Sequence, residues 1–347
     1  MRICICATQI PFSRGGAEIH VESLHRELLK RDFDAELVTV PFSWNPRLQI
    51  LKSAVAWRLL DLETMGGAAV DLVIATRFPS YMIEHANKVV WLIHQFRQVY
   101  DLFGTPYSDF EDSPEDRSII DKIRRMDNRA LSEARGLYTN AANTAARLKQ
   151  FNGLDATPLH VPPQLGDDYR EGPFGDYLFS AGRLDQMKRV DLLIETMRHV
   201  ESEVRCKIAG IGPEREALAE KIARAGLADR VELLGWVDDA TLVELYANSL
   251  AVFYAPYDED YGYITVEAFK SGKPVLTATD SGGVLEFVEH GRTGFICEPD
   301  SPASFARRVD ELFADRERAA ELGRAGAARV MEITWDRVIE TLTGRQD

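Results

Sequence analysis

The feature of this sequence that most restricts its fold is a regular alternation between short apolar runs and amphipathic stretches of helical length. In the first half, apolar runs of strand length lie at residues 2–9, 36–42, 71–76 and 88–94. In the second half, runs of the same kind lie at residues 177–182, 206–212, 250–256 and 274–279. Strands that alternate with helices in this way form parallel sheets. The pattern therefore predicts an α/β protein with two Rossmann-like units.

Chain length and a change in composition favour two domains. At 347 residues, the chain is long for a single hydrophobic core. Residues 162–173 combine Pro, Gly and paired Asp, which is typical of a linker between domains. We therefore expect an N-terminal domain at residues 1–165 and a C-terminal domain at residues 174–330. A last short helix is expected to begin at Thr334 and Trp335, within residues 331–347.

Charge narrows the range of partners. The formal net charge is −14, which argues against a nucleic-acid partner. Residues 1–170 hold 20 basic and 22 acidic side chains, a net of −2, and the remaining residues therefore carry −12 of the −14. Such an asymmetry suggests two domains with different partners.

The cysteines and the apolar runs indicate the compartment. The four cysteines lie on apolar runs and are expected to be reduced core residues: Cys4, Cys6, Cys206 and Cys297. No run reaches the length of a membrane-spanning helix, and the start M-R-I-C-I-C-A resembles a strand and not a signal peptide. The sequence therefore favours a cytoplasmic protein.

One stretch, residues 257–271, combines features of a ligand site. It follows the apolar run at residues 250–256, and its two carboxylates, Glu259 and Glu267, flank Gly262, where a turn into a helix is expected. A helix that begins there presents free backbone N–H groups, which bind phosphate well. A carboxylate beside them can accept hydrogen bonds from sugar hydroxyls. The alternative is a plain strand and helix with two surface carboxylates.

Other residues at predicted strand ends also suggest ligand binding. Gly15 and Gly16 follow the first strand, where glycine lets the backbone approach a ligand closely, although a plain tight turn explains them too. His94 ends the run at residues 88–94, and carboxyl ends of parallel strands face ligands. Arg183 and Lys188 follow the run at residues 177–182 and could bind a diphosphate or form structural salt bridges.

The stretch E-D-Y-G-Y-I-T-V-E at residues 259–267 resembles the E-x7-E motif of retaining glycosyltransferases of family 4, usually written E-G-F-G-x-x-x-x-E. The resemblance extends to an R-x4-K pattern at Arg183 and Lys188, and to S-G-G-V-L-E at residues 281–286, which is similar to a G-G-x-P-E turn. Members of this family have the GT-B fold, with two Rossmann-like domains facing each other across a cleft. The resemblance implies the same fold here, with the last helix crossing back to the first domain.

The resemblance also implies roles for individual residues. Arg183 and Lys188 are expected to bind the diphosphate of a nucleotide sugar, and Glu259 and His94 to orient its sugar ring. Glu267 is expected to hold the ribose hydroxyls. The remaining residues expected to contact the donor are Gly15, Gly16, Gly235, Trp236, Val237, Gly262, Tyr263, Ile264, Gly282 and Gly283. Three positions depart from the family pattern: Gln95, where Asp or Asn is common, Arg189, where Gly is usual, and Leu285, where Pro is common.

These expectations describe a retaining glycosyltransferase without a metal or other cofactor. Its donor would be a UDP- or GDP-linked sugar, and its acceptor a glycan or lipid-linked hydroxyl in cell-surface polysaccharide or glycoconjugate synthesis. Residues 44–62 mix Trp and Leu with Arg and Lys, so this segment is either a core-packing helix or a face for peripheral membrane contact.

Three other functions stay open at the level of sequence. One is a GT-A-type metal-dependent transferase, because Asp258 and Asp260 have the spacing of a metal-binding D-x-D motif, which would require Mg²⁺ or Mn²⁺. A sugar-nucleotide epimerase with the GT-B fold would release UDP without an acceptor. A non-catalytic protein could bind a nucleotide sugar with the same residues.

Overall fold

The computed structural model of the protein describes residues 1–12 and 15–344. Ser13 and Arg14 of the predicted Gly-Gly loop, and residues 345–347 of the predicted C-terminal segment, lie outside these ranges. The chain forms two compact units. The N-terminal unit comprises Met1–Gln164 and Thr334–Asp347, and the C-terminal unit comprises Leu165–Ile333.

The N-terminal unit is built on a parallel sheet. Its strands are β1 (Arg2–Gln9), β2 (Asp34–Pro41), β5 (Leu72–Ala75), β6 (Lys88–Leu92), β7 (Gly136–Thr139) and β8 (Thr157–Pro158), with a separate antiparallel pair, β3 (Thr64–Met65) and β4 (Ala68–Ala69). Its first four helices are α1 (Gly16–Lys30), α2 (Leu48–Arg58), α3 (Pro114–Ser132) and α4 (Ala142–Asn152). Within the described ranges the strand order is β2-β1-β5-β6-β7-β8, and all five pairings are parallel. Successive strands are added toward one side of the sheet up to β2 and toward the other side from β5 onward. The reversal lies between β1 and β5, and ligands of such folds bind at this point.

The central strands β5 and β6 are apolar, apart from Lys88 at the start of β6, because the sheet is covered on both faces. All residues of β5 and β6 are buried, in agreement with the uninterrupted apolar runs of the sequence. The predicted helix at residues 44–62 is shorter, since α2 spans Leu48–Arg58. It buries Ile50, Ala54 and Trp57, which share one face at helical spacing, while Leu48 and Val55 are exposed.

The C-terminal unit repeats the architecture with a different strand order. Its strands are β9 (Tyr177–Ala181), β10 (Arg205–Ala209), β11 (Val231–Gly235), β12 (Ala251–Phe253), β13 (Val275–Ala278) and β14 (Gly294–Cys297). Its helices are α5 (Val190–His199), α6 (Arg215–Arg224), α7 (Asp239–Ala247), α8 (Tyr263–Lys270), α9 (Pro302–Ala314) and α10 (Arg316–Val330). Within the described ranges the order is β11-β10-β9-β12-β13-β14, and all pairings are parallel. The order reverses between β9 and β12, which opens a crevice outside their carboxyl ends.

The last helix that the structure describes is α11 (Trp335–Thr343), which packs within the N-terminal unit. Thr334 caps this helix, since its side chain accepts a hydrogen bond from the Arg337 amide. Trp335 contacts Trp91 edge to face, with ring centroids 6.3 Å apart, and Asp336 pairs with Arg31. A terminal helix beginning at Thr334 and Trp335 is thus anchored by an aromatic contact and an ion pair.

The predicted α/β fold with two Rossmann-like units is confirmed. All four cysteines are free and buried, as predicted. Among the helices that the structure describes, none has the length and hydropathy needed to cross a membrane.

Asp127 on α3 is a carboxyl group buried in the N-terminal unit. Its side chain is fully excluded from solvent, and the Tyr100 hydroxyl donates to Asp127 Oδ2 at 2.6 Å. Asn152 in turn donates to the Tyr100 hydroxyl at 3.1 Å. Burial raises the pKa of Asp127 from 3.8 to about 7, because the charged carboxylate loses its hydration.

We predict that replacing Asp127 by Asn changes how stability depends on pH. Because the folded-state pKa lies above the unfolded-state value, the folded protein binds the extra proton, and the wild type loses stability as pH rises from about 4 to about 7. Asn cannot ionise and its side-chain oxygen still accepts from Tyr100. The variant should therefore become more stable than the wild type as pH rises, by up to about 4 kcal/mol of unfolding free energy, and its melting temperature should rise relative to that of the wild type.

The measurement is the melting temperature of both proteins at half-unit steps from pH 4.5 to 8. Asp121→Asn, at an exposed position on the same helix, is the control and should track the wild type. A difference between Asp127→Asn and wild type that stays constant with pH would contradict the prediction.

Candidate functional site

The candidate site lies at the carboxyl ends of β9 and β12, where the strand order of the C-terminal unit reverses. Arg183 and Lys188 follow β9, and Glu259 follows β12. Because adjacent parallel strands end at the same edge of the sheet, Lys188 and Glu259, 71 positions apart in sequence, come together here. The structure therefore brings the predicted basic pair and the first predicted glutamate to one edge.

Lys188 and Glu259 form an ion pair at this edge. Lys188 Nζ contacts Glu259 Oε2, and both side chains are about one-fifth to one-quarter exposed. The Tyr254 hydroxyl lies 3.4 Å from Lys188 Nζ. Asp185 fixes the turn that carries the lysine, since its carboxylate accepts from the Lys188 amide at 3.1 Å. The site thus holds a cation and a carboxylate that balance each other's charge.

Arg183 presents its guanidinium mostly to solvent. Its side chain is 64% exposed, and Arg183 Nε lies 3.8 Å from Asp185 Oδ2. At that distance and exposure, the ion pair contributes little to stability. The guanidinium is therefore available to a ligand at the end of β9.

The first turn of α8 adds backbone donors to the site. Gly262 precedes the helix in a left-handed conformation, with φ 82°, which favours glycine. The amides of Tyr263 and Ile264 belong to the first turn, where no intrahelical acceptor exists. The side chain of Thr265 is fully buried, and within the described residues its hydroxyl has no hydrogen-bond partner. Such a helix start suits an anion.

Glu267, one turn into α8, is held by tyrosines. The Tyr246 hydroxyl donates to Glu267 Oε2 at 2.7 Å, and the Tyr169 hydroxyl also interacts with this carboxylate. Burial raises the pKa of Glu267, and the tyrosine hydrogen bonds partly counteract that rise. The second predicted glutamate is therefore fixed in orientation before any ligand binds.

Gly282 and Gly283 pack against the segment that carries Glu259. The Gly283 amide donates to the Glu259 carbonyl at 2.7 Å, and a bridge joins Glu259 to Gly282. A Cβ on Gly283 would lie 2.2 Å from the Asp260 carbonyl oxygen, so only glycine permits this approach. These two predicted residues thus define the position of Glu259.

Gly235, Trp236 and Val237 lie at the end of β11, on the same edge of the sheet. The Gly235 carbonyl accepts from the Gly210 amide at 2.7 Å, which ties this end to the end of β10. Trp236 is 74% exposed. Strand β10 separates these residues from β9, so they form a second part of the edge beside the Lys188 group.

The remaining predicted residues, Gly15, Gly16 and His94, belong to the N-terminal unit. Gly15 caps α1, and its amide donates to Glu18 Oε2 at 2.9 Å; Gly16 is the first helical residue. His94 follows β6, and its Nδ1 lies 2.7 Å from the backbone oxygen of Gln95. All three lie at the carboxyl edge of the sheet, with β5 between the two groups.

Arg77 lies between these groups, at the carboxyl edge of the sheet in the N-terminal unit. Its guanidinium is buried, donates to the Thr8 carbonyl at 2.6 Å and pairs with Glu18. A cavity of about 480 Å³ beside it is lined by β1, β2 and the first turns of α1, including Glu22 and Thr39. No motif marks Arg77 in the sequence, because an arginine after a strand carries no motif by itself.

In the C-terminal unit, sequence reasoning also missed the tyrosines around the glutamates and the partner of Arg189. Tyr246 and Tyr254 reach Glu267 and Lys188 from separate elements, and only the fold brings them there. Arg189 pairs with Asp280 through two hydrogen bonds, at 2.6 and 2.8 Å. The one indication of this in the sequence is that Arg189 stands where the family that the chain resembles usually has glycine.

Asp258 and Asp260, the two residues of the D-x-D spacing, lie in the segment that follows β12. Within residues 1–12 and 15–344, no group of three or more His, Cys, Asp or Glu side chains is arranged to hold a metal ion. The Asp258 amide donates to the Asp280 carbonyl at 2.9 Å, and Asp258 has φ 39°. The segment is thus held by backbone contacts.

Comparison with known sequences finds similarity to glycosyltransferases. Residues 173–329 match the family described as glycosyl transferases group 1. The D-inositol 3-phosphate glycosyltransferase of Nocardia farcinica is 28% identical over 236 residues, covering 61% of this chain and 52% of the relative. The human alpha-1,3/1,6-mannosyltransferase ALG2 is 29% identical over 188 residues, covering 50% of this chain and 44% of the relative. The chain spans about half the length of these curated relatives.

Comparison with solved structures extends over the whole chain. Sucrose-phosphate synthase from Thermosynechococcus elongatus matches with a TM-score of 0.78 and 16% identity, covering 99% of this chain and 97% of that one. Anabaena HepE in complex with UDP and glucose matches with a TM-score of 0.70 and 19% identity, covering 99% and 100%. At these identities, the likeness defines the fold.

The fold is that of GT-B glycosyltransferases. Within the chain, residues 173–329 are similar in sequence to the group 1 glycosyl transferases. The predicted resemblance to this class is confirmed, whereas the E-x7-E motif and the role of each site residue stay predictions.

We predict that Tyr246→Phe destabilises the protein in a pH-dependent way. Loss of the phenol donor raises the pKa of Glu267 further, because the remaining burial then acts with less compensation. A folded-state pKa above the unfolded value costs stability as pH rises through that interval. The variant should therefore lose little melting temperature at pH 4 and more at pH 8, where about 1–3 kcal/mol is expected.

The matched control is Tyr177→Phe, which removes a buried hydrogen bond to a neutral acceptor, the Leu245 carbonyl, at 2.8 Å. Its cost should not depend on pH over this range. Equal pH dependence in the two variants would refute the coupling between Tyr246 and Glu267.

Proposed function

We propose that the protein is a retaining glycosyltransferase that moves a sugar from a UDP- or GDP-linked donor to the hydroxyl of a glycan or lipid-linked acceptor. The observation that carries this proposal is the Lys188–Glu259 pair beside the start of α8, at the reversal of strand order. A cation, a carboxylate and free helix amides at one edge suit a diphosphate joined to a polyol.

Release of a nucleoside diphosphate requires that its developing negative charge be stabilised. Lys188 supplies a point charge, and Arg183 supplies a planar fork that can bind two oxygens at once. The amides of Tyr263 and Ile264 add donors whose positions are set by the helix. Because these groups suffice to stabilise a diphosphate, we propose that no metal takes part.

The carboxylates would hold the sugars of the donor. An ammonium group has three donors, so Lys188 can bind a phosphate oxygen while it keeps Glu259 in place. Glu259 then accepts from hydroxyls of the transferred sugar, and Glu267, oriented by Tyr246, accepts from the ribose. Gly282 and Gly283 approach the donor with backbone amides, and residues 235–237 contact the base.

The N-terminal unit would provide His94, Gly15 and Gly16 toward the donor and the binding surface for the acceptor. The hydrogen bond of His94 Nδ1 to the backbone oxygen of Gln95 requires a proton on Nδ1 and fixes the orientation of the ring. We propose none of the candidate carboxylates as a covalent nucleophile. The nucleoside diphosphate would leave, and the acceptor hydroxyl attack, on the same face of the sugar, which retains the anomeric configuration.

We assign the reaction to the synthesis of cell-surface polysaccharide or glycoconjugate in the cytoplasm. The exposed side chains of Trp44, Leu48, Val55 and Leu59, on and beside α2, support peripheral contact with the inner face of a membrane that carries a lipid-linked acceptor. The names of the relatives, an inositol phosphate glycosyltransferase and a mannosyltransferase, support sugar transfer in general terms.

The first experiment is a thermal-shift panel of UDP, GDP, ADP and their common sugars, with Mg²⁺ or with EDTA. A ligand that binds only the folded state raises the melting temperature by mass action. A shift by one nucleotide in EDTA would identify the donor class and support a metal-independent transferase. A shift that requires Mg²⁺ would favour the D-x-D interpretation, and no shift at millimolar ligand would contradict the proposal.

We predict that Lys188→Ala lowers turnover by about 10²–10³-fold, the usual cost of removing one preorganised donor to a developing anion. The measurement is release of the nucleotide that the panel identifies, from its sugar conjugate and an accepted hydroxyl compound. Lys221→Ala, which removes a surface lysine paired with Glu195 on α5, is the control and should keep wild-type turnover.

A Lys188→Ala variant with full turnover would remove this residue from the mechanism. Nucleotide release that proceeds equally without any acceptor, together with a change in the sugar's configuration, would instead identify an epimerase. Binding without any turnover would identify a non-catalytic protein.

A further inference from the structure

Arg189 occupies a backbone conformation that L-amino acids rarely adopt. It has φ 49° and ψ 43°, the left-handed region that favours glycine. It directly follows Lys188 and precedes α5. Adding a long side chain at a position suited to glycine is unfavourable, and such strain persists only where other contacts hold it. The side chain of Arg189 provides those contacts.

The guanidinium of Arg189 binds two segments that follow neighbouring strands. Its Nε donates to the Ala255 carbonyl at 2.7 Å, and its Nη2 donates to the Pro256 carbonyl at 2.6 Å. The same group forms a two-pronged pair with the carboxylate of Asp280, at 2.6 and 2.8 Å. With only 14% of this side chain exposed, the contacts are largely shielded from water.

These contacts join the three segments that carry the candidate site. Arg189 itself belongs to the turn of Lys188, and the two carbonyls lead directly into the segment of Glu259. Asp280 lies two positions before Gly282, the first residue of the Gly282–Gly283 turn. Backbone hydrogen bonds complete the connection, with the Asp258 amide on the Asp280 carbonyl at 2.9 Å and the Tyr257 amide on the Met187 carbonyl at 2.8 Å.

We propose that Arg189 is a positioning residue, which fixes Glu259 and the Gly282–Gly283 turn relative to Lys188 through Asp280 and the carbonyls of Ala255 and Pro256. The proposal rests on the proposed function insofar as this arrangement serves sugar transfer. Arg189 does not act on the substrate itself. It determines how well the carboxylate of Glu259 is aimed at the sugar, whereas binding of the nucleotide depends on other groups.

The test compares Arg189→Gly with Arg189→Ala, because the two changes separate backbone strain from side-chain contacts. Both remove the guanidinium, but only glycine fits φ 49° without strain. Arg189→Gly should therefore melt at or above the temperature of Arg189→Ala. Arg189→Lys keeps the charge without the fork and should restore function only in part. Arg198→Ala, a surface residue paired with Glu195 on α5, is the control.

The first measurement is hydrogen exchange of the wild type and Arg189→Gly. Exchange of residues 257–260 and 281–283 should be faster in the variant by about tenfold or more, while exchange of the central strand β9 stays unchanged. This measurement does not depend on any catalytic activity. Unchanged exchange in both segments would overturn the proposal.

The second measurement is the affinity for UDP and GDP, together with kcat and KM for the donor that the panel identifies. In Arg189→Gly, nucleotide affinity should stay within about threefold, while kcat falls about tenfold, which corresponds to about 1.4 kcal/mol. Faster exchange with unchanged kcat would overturn the positioning role. A wild type that binds neither nucleotide would refute the proposed function, and hydrogen exchange would still decide whether Arg189 holds these segments.

Discussion

The ion pair between Lys188 and Glu259 is the interaction on which the site depends, and the pair exists only because of the strand order. The two residues follow β9 and β12, which are neighbours in the sheet although two other strands lie between them in sequence. A parallel sheet that reverses its direction of growth at this point leaves the carboxyl ends of both strands uncovered. Charged side chains can meet there without being buried in the core.

Much of the fold can be predicted from the sequence, because burial of a sheet on both faces restricts the residue types within each strand. Strands such as β5 and β6 are buried on both faces, so every residue in them must be apolar or have its polar groups satisfied internally. Lys88 illustrates the second case: its ammonium donates to the carbonyls of Tyr81, Ile83 and Ala130. The ends of elements were less predictable, as the shorter α2 illustrates, since packing and not pattern decides where a helix stops.

Part of the candidate site can likewise be predicted from the sequence, and part of it cannot. Glycines and charged residues in fixed spacing were visible in the sequence, because close backbone approach and anion binding restrict residue types at specific positions. The tyrosines that orient Glu267 were not visible, since Tyr246 arrives from α7 and Tyr169 from the irregular segment before β9. No spacing rule connects residues whose proximity arises from tertiary packing. The same limit hid the contacts of Arg189, although the sequence marked its position as unusual.

The charge balance of the site explains why its residues can be preorganised without a ligand. A lone carboxylate at one-fifth exposure would lose hydration without compensation, and a lone lysine would do the same. Paired, each keeps the other in one orientation, and the lysine retains donors for an incoming anion. An anion that binds Lys188 therefore does not have to separate the pair. The anion accepts from the donors of the ammonium group that Glu259 leaves unused. The backbone strain at Arg189 is the energetic cost of keeping the segment of Glu259 in place.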